Sequence, residues 1–263
     1  MRAPSTPSPL LEARAVTVRF GGLEAVSGLD LAIARGAIHG LIGPNGAGKT
    51  TVLNVLTGFI RPTSGQLLFD GEEIGGLGVN RFARHGLART FQNIRLFGAM
   101  TVLESILVGA HQRFGASALS LVLGFRAARA AERTMVARAY ELLDFVGLGA
   151  QVADRVATTL SYGHQRRVEI ARALIAAPKL LLLDEPLAGM NAVEKDDIGD
   201  LVRQVRAQGI AVLLIEHDMQ VVRSLCDRLT VLDYGKRLAD GTPEKVLADP
   251  AVQAAYLGRA RTG

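Results

Sequence analysis

Cysteine is almost missing from these 263 residues: there is one, Cys226. A single thiol excludes an internal disulfide and fits a reducing compartment. It sits in "VVRSLCDRL" and reads as a small buried apolar residue, not a reactive thiol. Long hydrophobic runs are missing too. No window reaches the roughly 18 apolar residues of a membrane span. The nearest, "ALIAAPKLLLL", is interrupted by Pro178 and Lys179. The opening "MRAPSTPSPL" lacks the apolar core of a signal peptide, so residues 1–10 are expected to be a disordered lead-in. There is no internal repeat. The net charge of +5 is small for this length. It permits contact with anions or a membrane surface but does not call for nucleic acid. The expectation is a soluble, cytoplasmic chain.

What is present is a core-former: 49% of the residues are hydrophobic, enough for one large domain without staples. "LLEARAVTVRF" alternates apolar and polar residues and reads as a strand, followed by strands "LDLAIARG" and "AIHGLIG" on either side of Gly36. A helix is expected from residue 49 to near Gly58, then a hairpin-like β segment in "GQLLFDGEEI". Residues 100–175 read as a helical lobe, rich in Ala, Leu and Arg and without strand signals. After residue 160 helices (165–177, 192–207, 218–226) alternate with apolar strands "LLLLDEP", "GIAVLLIEH" and "LTVLDYG". Thr242–Pro243 and Asp249–Pro250 mark two helix starts in the tail. Apolar strands alternating with helices imply an α/β fold around a parallel sheet.

"GPNGAGKT", Gly43 to Thr50, matches G-x-x-x-x-G-K-[ST] after a strand and at the start of a helix. Glycines there let backbone N–H groups of Asn45, Gly46, Ala47, Gly48 and their neighbours turn toward phosphate oxygens. Lys49 can reach the terminal phosphates, with Thr50 as a magnesium ligand and Thr51 next to it. A P-loop needs an acidic partner for its metal. Asp184 supplies one at the end of an apolar strand, and Glu185 follows as a base for the attacking water. His217 ends another apolar strand, on the edge where parallel sheets bind ligands. His39 reads as a packed core residue, whereas His85 and His111 read as surface residues.

The stretch "LSYGHQRR" (160–167) is the most specific feature. With the P-loop and "LLLDEP" it makes the chain resemble an ABC-type ATPase, over about residues 11–258. The resemblance implies a P-loop NTPase of the ABC ATPase fold: parallel-sheet core, N-terminal antiparallel β portion and helical lobe. It implies ATP and Mg2+, with ATP held between one subunit's P-loop and the opposing subunit's Ser161, Gly163 and His164. Arg166 and Arg167, inside the helix that follows, are expected on a solvated or salt-bridged face.

By the same resemblance Phe20 stacks on adenine with Val26 packed nearby. Gln92 in "RTFQN" touches the metal and the water, and Asn191 falls at the family's D-loop aspartate. "RTFQNIRLFGAMTVLE", "LSYGHQRRVEIARAL", "LLLDEPLAGMN" and "AAYLG" resemble the branched-chain amino acid importer subgroup, from which His164 departs, since glutamine is expected there. The implied partners are transmembrane permease subunits, a second ATPase subunit and, indirectly, a periplasmic solute-binding protein. The implied location is the cytoplasmic face of the inner membrane. Leu96, Phe97 and Met100 are candidates for a groove that takes a partner helix. "FRAARAAERTMVAR" reads as a solvated helix face, and residues 259–263 as a tail. An importer of urea or other amides, an exporter, and a switch subunit that binds ATP with little hydrolysis remain open.

Overall fold

The structure, a computed structural model, describes residues 8–92, 96, 98–112 and 125–257. Its strands are β1 (Leu11–Phe20), β2 (Leu23–Ile33), β3 (Ile38–Ile42), β4 (Ser64–Phe69), β5 (Glu72–Glu73), β6 (Leu87–Arg89), β7 (Leu180–Asp184), β8 (Ala211–Ile215), β9 (Arg228–Asp233) and β10 (Lys236–Gly241). Its helices are α1 (Lys49–Val55), α2 (Val79–His85), α3 (Val102–Val108), α4 (Phe125–Phe145), α5 (Tyr162–Leu174), α6 (Ala192–Ala207), α7 (Met219–Leu225), α8 (Pro243–Leu247) and α9 (Pro250–Leu257).

An antiparallel sheet runs β2-β1-β4-β5, and a second sheet runs β10-β9-β3-β8-β7-β6 with β9-β3-β8-β7-β6 all parallel. The period-2 rule explains how the second sheet splits the core. Ile38, Ile42, Leu181, Leu183, Val212 and Leu214 face one cluster, with the lobe helices α3–α5 and with α6. Leu41, Leu180, Leu182, Leu213 and Ile215 face the other, with α1 and the antiparallel sheet. The α/β fold with an N-terminal antiparallel portion and a helical lobe is therefore as expected. No described helix is long and apolar enough to cross a membrane.

Several boundaries differ from expectation. Leu10 is buried, and its amide and carbonyl bond to Ile33 and Asp70, so it belongs to the packed chain and not to the lead-in. Residues 1–7 and the tail 259–263 lie outside the described residues. The helix expected from residue 165 begins at Tyr162, with Ser161 as its N-cap. It stops at Leu174, and three residues on Ala177 turns left-handed (φ 46°), ahead of Pro178. Two short elements, α2 and β6, carry too few residues for a periodicity to register.

His39 is the core residue expected. It is 1% exposed, and its Nε2 lies 2.8 Å from Thr230 Oγ1. Thr230 donates its only hydroxyl hydrogen to Asp240 (2.6 Å), so His39 donates from Nε2. Burial pushes its pKa down to about 4, with Asp240 working against that shift and Arg228 with it. The unfolded chain thus binds a proton first as pH falls. The His39 contribution to stability is complete above about pH 6.5 and is lost toward pH 4. Between pH 7 and pH 5 this costs about 2 kcal/mol. Denaturant unfolding should show that drop in the wild type and a smaller one in His39→Gln. Equal pH slopes would disprove it.

Candidate active site

The loop Gly43–Gly48 joins β3 to α1 and needs its glycines at two places. A Cβ on Gly43 (φ 155°) would lie 2.2 Å from the Leu232 carbonyl oxygen, and one on Gly48 (φ 100°) 2.8 Å from that of Ala25. Only glycine fits either position. Lys49 folds back over the loop, its Nζ donating to the carbonyls of Gly43 (2.5 Å) and Pro44 (3.0 Å). A cleft of about 500 Å³ opens here. Asn45, Gly46, Ala47, Gly48, Lys49, Thr50 and Thr51 form its floor, and Gln92 and Glu185 also line it, as do Leu23, Tyr234 and Gly235.

Asp184 closes β7, and Glu185 follows with φ 47°, a left-handed conformation that costs a non-glycine residue about 1–3 kcal/mol. The Glu185 amide donates to Ile215 of β8, and its Oε2 accepts from Gln92 Nε2 at 2.8 Å. This contact joins two of the expected site residues across 93 positions of sequence. Asp184 Oδ2 accepts from Arg89 Nη2 at 3.0 Å. Arg89 also donates to Asn54 of α1 (2.8 Å) and stacks over Phe91 at 5.1 Å. Sequence reading passed over Arg89 because its strand is three residues long.

His217 stands exposed two residues beyond β8, and it is not among the described residues that line the cleft. The neighbouring Glu216, also passed over, is 2% exposed and accepts the Leu187 amide at 3.0 Å. Burial raises its pKa, while that hydrogen bond opposes the rise. It thereby holds the segment that follows Glu185.

Phe20 is 50% exposed at the β1–β2 turn, opposite Leu23, so it is not a core aromatic. Val26 is fully buried beneath the cradle, 3.7 Å from where a Gly48 Cβ would stand. Cys226 is buried with its thiol pushed up to about 12 by burial, which makes it inert as expected. His85 is half-buried, 3.5 Å from Glu72, so it is less exposed than expected; the side chain of His111 lies outside the described residues.

Ser161, Gly163 and His164 line a second cleft of about 240 Å³ with Arg167, Glu194 and Asp197. The Ser161 side chain makes no capping bond to α5. A Cβ on Gly163 would meet only ordinary contact with Glu194, at 3.5 Å. Nothing within the chain therefore demands glycine there. Asn191 caps α6, its side chain accepting the Glu194 amide while Glu194 accepts the Asn191 amide. An aspartate would cap equally well. Arg167 carries the expected salt bridge, to Asp197 at 3.3 Å. Arg166 is salt-bridged as expected, to Glu169 at 2.6 Å, but at 0% exposure the pair is buried and not on a surface face.

Of the proposed groove residues, Leu96 packs against the lobe core, Met100 is half-buried, and Phe97 lies outside the described residues. In "FRAARAAERTMVAR", Arg133 and Arg138 are solvent-exposed as expected; the side chains of residues 125–129 and 131 lie outside the description.

A family model described as ABC transporter matches residues 26–188, and one described as branched-chain amino acid ATP-binding cassette transporter matches residues 236–262. The high-affinity branched-chain amino acid transport ATP-binding protein BraF of Pseudomonas aeruginosa is 47% identical over 253 residues, covering 96% of this chain and 99% of its own length. The corresponding LivG protein of Escherichia coli K12 is 44% identical with the same coverage. A solved ATP-binding cassette of an ABC transporter, in its ADP conformation, superposes with a TM-score of 0.83 at 33% identity, covering 95% of this chain and 99% of its own. The chain belongs to the ABC transporter family, as one of its ATP-binding cassettes.

Proposed function

We propose that the chain binds ATP with Mg2+ in the P-loop cleft and hydrolyses it to drive permease subunits that import branched-chain amino acids. The observation that carries this reading is the convergence of Lys49, Gln92 and Glu185 on one cleft, with Gln92 and Glu185 in direct contact. The cradle fits a polyphosphate: Gly43 and Gly48 permit a turn in which any side chain would strike the Leu232 or Ala25 carbonyl, and glycine-rich turns of this kind present backbone N–H groups to anions. The oxygens of Thr50, Asp184 and Gln92 suit Mg2+, which takes few protein ligands and leaves positions for phosphates. Bound there, the ion would offset the charge of the phosphates. Lys49 would leave the Gly43 and Pro44 carbonyls to hold the terminal phosphates. Glu185 would accept the proton of the attacking water, positioned by Gln92, as the phosphorus–oxygen bond to the leaving ADP breaks. His217, on the same sheet edge, would donate to the terminal phosphate. Phe20, 50% exposed, would stack on the base, while the buried Val26 would act only by packing beneath the cradle.

Ser161, Gly163 and His164 belong to the same reading through a second ATPase subunit, identical or different. The uncommitted Ser161 side chain and a glycine without an internal steric reason fit a surface that meets another subunit's nucleotide. The permease subunits would place the dimer on the cytoplasmic face of the inner membrane, with a periplasmic solute-binding protein delivering the solute.

The test has two stages. The full-length chain should release phosphate from ATP in Mg2+ and not in EDTA. Reconstituted in proteoliposomes with its permeases and binding protein, it should drive ATP-dependent leucine uptake. No ATP binding would overturn the nucleotide reading, and turnover without uptake of any branched-chain amino acid would overturn the cargo.

A further inference from the structure

Arg166 is the largest fully buried side chain of the described residues, in the helix that carries Ser161 at its cap. A buried guanidinium is costly wherever a donor is left unpaired; here both Nη atoms are engaged while Nε has no hydrogen-bond partner, and a buried ion pair seldom stabilises a fold more than apolar residues of the same volume would. Its burial is better explained by what it holds. Nη1 donates to the Phe91 carbonyl (2.8 Å) and to Glu169 Oε2 (2.6 Å). Nη2 donates to the Gln92 carbonyl (3.0 Å) and to the Tyr162 hydroxyl (3.3 Å), and the guanidinium lies 5.9 Å from the Tyr162 ring centre. Glu169, 1% exposed, closes the grip by accepting the Phe91 amide on Oε1 at 3.2 Å.

The segment so held is where the chain leaves the sheet. Thr90 still donates to Leu182, the last backbone bond of the ladder, and Phe91 and Gln92 lie beyond it. There the Arg166–Glu169 pair takes over the backbone groups that the ladder no longer serves. The Gln92 side chain then projects to Glu185 Oε2 at 2.8 Å. One short relay thus runs from the first turn of α5, through Arg166 and the Gln92 backbone, to the carboxylate in the cleft.

We infer that Arg166 is a positioning residue for hydrolysis: it fixes the Phe91–Gln92 backbone so that Gln92 keeps Glu185 in place, tying the Ser161 helix to the catalytic carboxylate of the same subunit. This rests on the role proposed for Glu185. It gives a subunit a means of sensing its partner: whatever shifts α5 shifts Gln92.

The test is a double-mutant cycle in the full-length chain. Arg166→Lys keeps the charge, but a point ammonium cannot span the Phe91 carbonyl, the Gln92 carbonyl and Glu169 together. It should lower kcat about ten-fold with KM for ATP within about two-fold of wild type. In a Gln92→Ala background the same change should lower kcat less than about two-fold, because the relay is already cut. A merely structural arginine would give the same loss in both backgrounds. That outcome, or an unchanged kcat in Arg166→Lys, overturns the inference. Should Arg166→Lys fail to fold, Glu169→Gln reads the same cycle, since it leaves an acceptor for the Phe91 amide while removing the ion pair. Glu185→Gln assayed alongside separates the two failures. Wild-type turnover in that variant would sink the proposed function, whereas an inactive Glu185→Gln with an additive Arg166 cycle would sink only the relay.

Discussion

Glu185→Gln is expected to lower kcat for ATP hydrolysis by about 100-fold or more while changing the dissociation constant for ATP less than about three-fold. The substitution is isosteric. A glutamine Oε1 can still accept from Gln92 Nε2, and the backbone at φ 47° is unchanged, so the cleft keeps its shape. What disappears is the negative charge proposed to take a proton from water, and a neutral amide has no comparable basicity. If, as proposed, binding relies on the cradle and Lys49, ATP should remain bound and an ATP-held dimer should accumulate. Size-exclusion chromatography in Mg2+ and ATP, with a parallel phosphate-release assay, checks both halves. Wild-type turnover would remove Glu185 from the mechanism. Loss of ATP binding would show that its charge supports the bound state and not the chemical step.

Sequence and structure agree where the chemistry is local in the chain, and they part where it is not. The phosphate cradle lies within eight consecutive residues, and the close approaches of Gly43 and Gly48 to Leu232 and Ala25 explain why those glycines stand in the pattern. The strand-end position of Asp184 and Glu185 was legible because an apolar run is expected to stop where carboxylates begin, and β7 ends at Asp184. The sheet was legible because strands apolar at every position must be covered on both faces, and two core clusters cover them.

Arg166 was not legible. Two adjacent arginines within a helix read as a solvated or salt-bridged face; the pair with Glu169 fits that, but the complete burial does not, and the carbonyl partners lie 74 and 75 residues away. Arg89 escaped notice for the same reason: its partners Asn54 and Asp184 lie 35 and 95 positions distant, and its strand is too short to announce itself. The strained backbone of Glu185 has no sequence signal at all, since φ is set by its bond to Ile215 and by the turn that follows.

Lys49→Met carries the largest expected effect on binding. The methionine keeps most of the unbranched apolar stem and removes the only ammonium donating to the loop carbonyls at Gly43 and Pro44 among the hydrogen bonds described. Two consequences oppose each other in magnitude. In the free protein the loss is of hydrogen bonds at a part-buried position, with water able to reach the exposed side of the loop. The fold should lose no more than about 1–3 kcal/mol, seen as a modest drop in Tm. In the nucleotide complex the loss is of a charge-assisted contact to phosphate, worth about 1.5–3 kcal/mol, so the dissociation constant for ATP should rise about 10- to 100-fold. Hydrolysis should fall further, since charge develops on the transferring group and is stabilised by the same ammonium. Adenosine separates the two effects because it carries no phosphate: its affinity should be the same in wild type and Lys49→Met if the cradle is intact. A parallel loss of adenosine binding would point to a collapsed loop, and ATP affinity within about three-fold of wild type would remove Lys49 from phosphate recognition.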